Sequence, residues 1–387
     1  MNKRIVLCTV SEIFLQNRIF NHEYAAKFPG AESMSELAKL AKNENIDIVT
    51  SDIALSYINK RYWQPNEVNL IMEADNLQGL ELIKLGCKPK ILLCFESPIF
   101  AWPFYDKLEQ FAPKFEHRIL FRGAFEKFHT NYGFNHPVRF PIFHRNTKFI
   151  VKPWEERKNI VLVAANKHWK KPDFPLSFKP GKYLKWWRKL NSPTLKDAIH
   201  NELQGKRLQI IEFFAAQNKI DIFGREWQNL SKLPSQWQKR LDSVIRRLNP
   251  QPCEDKIETM SNYKFAVCFE NVAYPGYVTE KIIDAIVSGV IPLYLGAPDI
   301  TDFVPQEAFI DIRNFNSSQQ LNEYLENLNE ETAMKMINAG RDFLNSPAGQ
   351  KHSYEGFAEF LFRLLFNDFK TFTYGESYDQ IHQNQNI

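Results

Sequence analysis

The residues best able to do chemistry are concentrated in one stretch, Tyr263–Gly296, which reads YKFAVCFENVAYPGYVTEKIIDAIVSGVIPLYLG. Its apolar run Lys264–Phe269 reads as a buried strand that ends on Glu270 and Asn271. A loop with Pro275 and Gly276 follows, then Tyr277, and Thr279 stands where a helix N-cap is expected. Glu280 and Lys281 then fall in the first helical turn. A helix N-terminus offers unpaired N–H groups and the positive end of the macrodipole, and with a lysine beside it suits a pyrophosphate. Glu270, Asn271, Tyr277 and Glu280 supply the polar and stacking groups that a sugar nucleotide needs. An isolated Thr-Glu-Lys is more simply the capped, solvated first turn of a helix. Five polar or aromatic groups converging on one strand end favour a ligand.

The elements that must position these groups follow from the flanking pattern. The helix from Glu280 ends at Gly289, and VIPLYLG returns as a parallel strand, so the stretch is a βαβ unit. Upstream, strands are expected at Asn159–Val163 and Lys219–Phe223, and downstream at Ala308–Ile312. Helical patterns lie between and after them, at Ala198–Gln217, Ser318–Leu328 and Glu331–Leu344. The first part alternates in the same way, with strands at Ile5–Val10, Ile46–Val49, Asn69–Met72, Lys90–Phe95 and Arg118–Phe121. Helices are expected there at Met34–Lys42 and Leu77–Leu85. Alternation of this kind gives parallel sheets with helices on both faces. The fold class is therefore α/β, with two Rossmann-like domains facing across a cleft, at 1–155 and 156–345. A last segment, 346–387, is read as crossing back to the first domain through FAEFLFRLLFNDF. The same aromatic stretch could instead lie on a membrane monolayer, but Glu359 and Asp368 beside Arg363 on its polar face favour bracing. In open α/β domains ligands sit beyond the carboxyl ends of the strands.

Composition removes several classes. The 387 residues carry 49 Lys and Arg against 45 Asp and Glu, a net charge of +4, too small an excess to point to nucleic acid as the main partner. With 44% hydrophobic and 24% charged residues the chain is ordinary globular material. The apolar run after Met1 is short for a signal peptide, which needs about 7–15 residues, and the longest apolar stretch falls short of the roughly 18 a spanning helix needs. Five scattered cysteines without a CxxC pair fit reduced thiols in a cytoplasmic protein. The nine histidines form no HExxH, and there is neither a DxD nor a P-loop, so no metal is expected.

The order FAVCFEN, YVTEKIIDA, IPLYLG, continuing through VPQEAF to Phe315, resembles the signature of the α-1,3/1,4-fucosyltransferases of glycosyltransferase family 10. The resemblance implies a two-domain GT-B fold, GDP-β-L-fucose as donor and co-substrate, inversion at the anomeric carbon, and no required cofactor or metal. CFESPIF (Cys94–Phe100) is similar to the segment preceding the family's acceptor site, and its glutamate implies Glu96 as general base. Burial against Phe95, Phe100 and Trp102 is expected to raise the Glu96 pKa; a helix-capping or surface glutamate is the alternative. KNIVLVAANKHW resembles the strand opening the family's donor domain, with Asn166 at its end and Ala165 where serine is common. Arg207, in KRLQIIEFFAAQNKIDIFG, matches the family's arginine. SVIRRLNP offers Arg246 and Arg247 for the donor phosphate, and Arg246 is the choice; a surface helix is the alternative.

These carry-overs give an expected site. Lys281 and Arg246 hold the diphosphate, with Arg207 and Asn166 also on the donor side. Glu280 and Asn271 bond the ribose or the fucose, and Tyr277 packs against the nucleotide. Glu280 is counted with Glu96 among the catalytic residues. The reading is an inverting α-1,3-fucosyltransferase acting on an oligosaccharide or lipid-linked glycan, at the 3-hydroxyl of an N-acetylglucosamine. Its alternatives are a GT-B transferase using another nucleotide sugar, or an inactive glycan-binding protein of the same fold. The segment 167–204, with Trp169, Trp186, Trp187 and many lysines, exceeds the family's usual length there. It offers contact with a glycan, a phosphate-bearing lipid or a membrane surface, though such side chains more often snorkel over a helix face. Placement is expected in the cytoplasm, peripheral to the inner membrane at most.

Overall fold

A computed structural model describes residues 3–125, 134–150, 152–167 and 180–366 of the chain. Trp169 and Asp368, on which parts of the sequence reading fell, lie outside the described residues.

Two parallel sheets organise the molecule. The first runs β2-β1-β3-β4-β5-β6, with β1 Arg4–Cys8, β2 Asp47–Thr50, β3 Val68–Glu73, β4 Lys88–Leu93, β5 His117–Leu120 and β6 Phe134–Pro137. The second runs β11-β10-β9-β7-β8, with β7 Lys158–Val163, β8 Ile220–Phe223, β9 Tyr263–Phe269, β10 Ile291–Leu295 and β11 Ile310–Asp311. The central strands read as near-continuous apolar runs because helices cover both faces; every residue of β1 is buried, and β9 exposes only part of Lys264. In each sheet the first strand is flanked by the next two, one on either side, β2 and β3 around β1, β8 and β9 around β7. The carboxyl edges beside β1 and β7 are thus the switch points where an open sheet leaves a crevice.

The helix expected at Ala198–Gln217 is two helices, Pro193–His200 and Gln204–Ala216. The break has a backbone cause. Leu203 N donates to Asn271 O at 3.1 Å and Ala273 N donates to Asn201 O at 2.8 Å, so the 201–203 loop bonds the loop after β9 instead of continuing the helix. The Glu202 carboxylate accepts from Gln204 N at 2.6 Å and starts the second helix. The first of the two helices buries Leu195 and Ala198 in the core of the first sheet, although their sequence position lies beyond β7.

The terminal helix, Tyr354–Phe366, also joins that first core, through Phe357, Ala358, Leu361, Leu364 and Leu365. Its apolar face is therefore occupied by protein and does not face outward for a monolayer. Among the described residues no helix is long and apolar enough to cross a membrane.

Candidate functional site

The βαβ unit forms as its sequence suggests. Glu270 N donates to Leu295 O at 2.8 Å, which carries the β9–β10 ladder one step beyond the strand and fixes Glu270 at the carboxyl edge. The helix that follows spans Glu280–Val287 and buries every residue from Ile282 onward. Gly289 ends it at φ +68, with Val290 N bonding Ala285 O and Gly289 N bonding Ile286 O, both at 3.0 Å. This is a Schellman cap, and a Cβ at Gly289 would lie 2.4 Å from Ile150 O.

Glu270 is fully buried and organises the start of this helix. Its carboxylate accepts from Thr279 N and from the Thr279 hydroxyl, each at 2.7 Å, and from Lys281 Nζ at 3.1 Å. Thr279 occupies the N-cap position but makes no side-chain cap. Its hydroxyl is engaged by Glu270, and it accepts from Lys281 Nζ at 2.8 Å. Space beside Glu270 is tight: a Cβ on Gly296 would lie 2.6 Å from Glu270 Cγ.

Charge at this helix start is dense and balanced. Burial works against the Lys281 ammonium, but Glu270 and Glu280 outweigh it and raise its pKa. Burial likewise opposes the Glu280 carboxylate, and Lys281, Lys256 and hydrogen bonds from its own N–H and from Thr279 bring it down to about 2. Lys256 in turn pairs with Asp284 on the buried face of the helix. That pair was missed in the sequence, where Asp284 within an apolar helical face was the available signal, because such a carboxylate needs a buried cation.

Arg207 is buried under the same strand end. Its Nη2 donates to Phe269 O at 2.6 Å and to Glu270 O at 3.3 Å, while its Nε has no hydrogen-bond partner among the described residues. Burial lowers its pKa, and Glu270, Glu202 and Glu280 oppose that. Asn271 spends its carbonyl on Leu203 N, and its half-buried side-chain amide makes no hydrogen bond among the described residues.

Tyr277 stands elsewhere than expected. It is 2% exposed and meets Phe121, which follows β5, edge to face at 5.8 Å between centroids. The ring that was to stack on a nucleotide is thus packed between the two units. Burial raises its phenol pKa well above the ordinary value, and the charges of Glu270, Glu96 and Glu280 add to this. Its neighbourhood therefore joins carboxylates from both sheets. Around it Gly123 N donates to Pro275 O at 2.8 Å, and Arg122 pairs with Asp299 at 3.1 Å and with Asp302 at 2.6 Å. Gly276, at φ +72, lets this loop come close: a Cβ there would lie 2.5 Å from Arg122 N.

Glu96 follows β4 and is exposed, so the burial expected for it is absent. Side chains alternate at the strand end: Phe95 turns inward onto Phe140 and Phe357 at 5.0 and 5.7 Å, and Glu96 turns out. One carboxylate oxygen, Oε1, accepts from Ser97 N at 3.0 Å, and Oε2 has no partner among the described residues. Beside it, at the end of β3, stands Glu73, another residue the sequence reading did not single out. Its Oε2 accepts from Thr9 Oγ1 at 3.0 Å and Val10 N at 3.1 Å. Burial raises its pKa and the Glu96 charge adds to the rise. The rule that ligands meet residues just after each strand would have flagged it.

Arg246 points to solvent, and the Asn166 amide is committed to a loop. Arg246 is 77% exposed on the solvent face of the helix Ser235–Leu248, where Nε donates to Asp242 at 2.9 Å across one turn. Trp237, Leu241 and Ile245 form the buried face of that helix and turn Arg246 outward. Its neighbour Arg247 bonds Ala215 O at the end of the helix Gln204–Ala216. Asn166 is fully buried past β7, and its amide donates to the carbonyls of Glu226 at 3.1 Å and Asn229 at 3.3 Å. It fixes a loop.

Two facing parallel sheets with charged residues at adjoining carboxyl edges define the class. The sucrose-phosphate synthase of Thermosynechococcus elongatus aligns with 94% of this chain and 99% of its own, at a TM-score of 0.57 and 10% identity, so the fold is that of the GT-B glycosyltransferases. Residues 187–336, which hold the helix start described above, match the family described as glycosyltransferase family 10 (fucosyltransferase), C-terminal. The α-(1,4)-fucosyltransferase of Arabidopsis thaliana is 44% identical over 72 residues, 19% of this chain and 18% of that protein. The α-(1,3)-fucosyltransferase FucT of Helicobacter pylori is 34% identical over 119 residues, 30% of this chain and 24% of that protein. The chain thus spans a quarter or less of the length of these relatives.

Proposed function

We propose that the protein is an inverting α-1,3-fucosyltransferase that moves L-fucose from GDP-β-L-fucose to the 3-hydroxyl of an N-acetylglucosamine in a glycan acceptor. One observation supports this reading: the charges of Glu96, from the first unit, and of Glu270 and Glu280, from the second, all bear on the buried phenol of Tyr277, and Lys281 adjoins Glu280.

In this reading the first unit, 1–155, presents the acceptor, 156–345 holds the donor, and the helix Tyr354–Phe366 braces the first unit. The free Oε2 of Glu96 accepts the proton of the attacking hydroxyl as its oxygen bonds the fucose C1. The C1–O bond to the diphosphate breaks on the opposite face. Lys281, 17% exposed, and the helix N–H groups stabilise the charge that gathers on departing GDP. Glu270 makes Lys281 a fixed cation rather than a mobile one, which removes reorganisation from the step. Glu280, ionised down to low pH, and the Asn271 amide accept and donate to the donor's hydroxyls. No cofactor or metal takes part in these steps.

The finer partners are also proposals. The helix Pro180–Asn191 exposes Tyr183, Leu184 and Trp187, and its sequence carries lysines and an arginine but no acidic residue. That composition suits peripheral contact with an anionic membrane carrying a lipid-linked glycan acceptor. Incubation with GDP-fucose and N-acetyllactosamine, followed by linkage analysis of the product, tests the activity. An α-1,3-fucosylated product supports it, and transfer of a different sugar overturns it.

A further inference from the structure

Away from this site, His22, Glu32 and His144 bring one ligand atom each to within 4.8 Å of one another. His144 Nε2 lies 3.0 Å from Glu32 Oε1, and His22 Nδ1 lies 3.9 Å from the same oxygen. Around a tetrahedral zinc ion with bonds of about 2.0–2.1 Å, ligand atoms stand about 3.4 Å apart. The two observed separations bracket that value, so small side-chain shifts admit a cation at the centre. The nitrogen and oxygen donor set suits zinc and its neighbours and not magnesium.

The surroundings of His144 match what such a ligand requires. Its other ring nitrogen, Nδ1, lies 3.1 Å from Glu355 Oε1, and the second Glu355 oxygen accepts from Arg145 N at 2.9 Å. Without a cation both ring nitrogens donate to carboxylates; a cation taking the place of the Nε2 proton leaves Glu355 to hold the proton on Nδ1 and meets the Nε2 lone pair. The Tyr354 ring packs edge to face on His144 at 4.9 Å and holds its plane. Glu32 is 13% exposed while His22 and His144 are 49% and 38% exposed, which leaves an entry path and room for a water as fourth ligand.

We propose that His22, Glu32 and His144 bind a divalent transition-metal cation of the zinc type, with Glu355 orienting His144. The ligands come from three separate elements, which is why no spacing motif announces them. His22 opens the short helix His22–Ala25, Glu32 opens the helix Glu32–Asn43, and His144 lies in the crossover between the sheets. The crossover is already tied to the terminal segment by Ile142 N to His352 O at 2.8 Å and Tyr354 N to Phe143 O at 2.9 Å. A cation here pins the passage between the two sheets to the first unit. Its role is structural and independent of the sugar-transfer reading.

The test is calorimetric titration of the full chain, stripped with a chelator, with zinc chloride at pH 7.5 and with magnesium chloride as control. The expected result is one equivalent of zinc bound, no magnesium bound, and a melting temperature that rises with excess zinc. His22→Ala weakens zinc binding at least about tenfold, and Glu355→Gln weakens it about 10–100-fold. His144→Ala also removes contacts to two carboxylates and can unfold the crossover, so the half-exposed His22 carries the test. Absence of stoichiometric zinc binding overturns the proposal. So does binding that a folded His22→Ala variant retains at full affinity, since the metal is then held elsewhere, for instance at the partly exposed Cys253.

Discussion

Lys281 Nζ lies 3.1 Å from Glu270 Oε2, and the same carboxylate takes both the N–H and the hydroxyl of Thr279. One buried acid therefore sets the entry of the helix and the direction of its lysine. Glu270→Gln keeps the shape but removes the charge that balances Lys281. Removing one partner of a buried pair costs about 3–5 kcal/mol, which urea unfolding will register as a lower midpoint with unchanged slope. An unaltered midpoint would show that the pair is dispensable.

Glu96, just past β4, combines exposure with a carboxylate oxygen that has no partner among the described residues. Glu96→Gln is expected to lower kcat by about 10²–10⁴-fold while leaving the affinity for donor nearly unchanged. Steady-state kinetics with separate donor titration check this. Ordinary turnover in the variant would assign the proton to another group, and Glu73, beside Glu96, is the next to replace.

Arg246 and Arg207 separate cleanly. Arg246 is on the solvent face and bonded only across one helical turn, so Arg246→Ala should change donor affinity by less than about twofold. Arg207→Ala removes the bonds to two carbonyls at the end of β9 and should lower both stability and donor affinity. Loss of donor binding in the Arg246 variant alone would reverse the assignment.

The pH response of folding follows from Glu280. Its pKa falls from an ordinary 4.5 to about 2 in the folded chain. A depressed carboxylate stabilises the fold fully above its unfolded value, and that contribution is lost as pH falls from about 4.5 toward 2. Glu73 has the opposite sign, because its raised pKa favours the protonated form in the fold. Denaturation midpoints measured across this window should fall less steeply for Glu280→Gln than for the unmodified chain. Parallel curves would mean that Glu280 is not held by Lys281 and Lys256.

Local patterns were readable where the chain bonds locally. The run Tyr263–Gly296 shows its strand, turn, helix and returning strand because burial on both faces demands apolar residues and Gly289 must adopt positive φ. Where distant segments decide, the sequence was silent. The break at 201–203 exists because that loop bonds the 271–273 loop. Thr279 fits the N-cap pattern, yet its hydroxyl goes to Glu270, a partner nine residues upstream. Tyr277 has the chemistry of a stacking residue, but Phe121 from the other unit takes its ring. Arg246 sits near a plausible strand, and only the helix face, set by Trp237, Leu241 and Ile245, shows that it points to water.

The proposed transfer requires the helix start at Glu280–Lys281 to receive the diphosphate of GDP-fucose. Calorimetric titration of the purified chain with GDP-fucose, GDP-mannose, UDP-galactose and UDP-N-acetylglucosamine tests it, with Lys281→Ala alongside. GDP-fucose is expected to bind preferentially, and Lys281→Ala to abolish that binding. Preference for a UDP sugar, or GDP-fucose binding that survives the loss of Lys281, would contradict it.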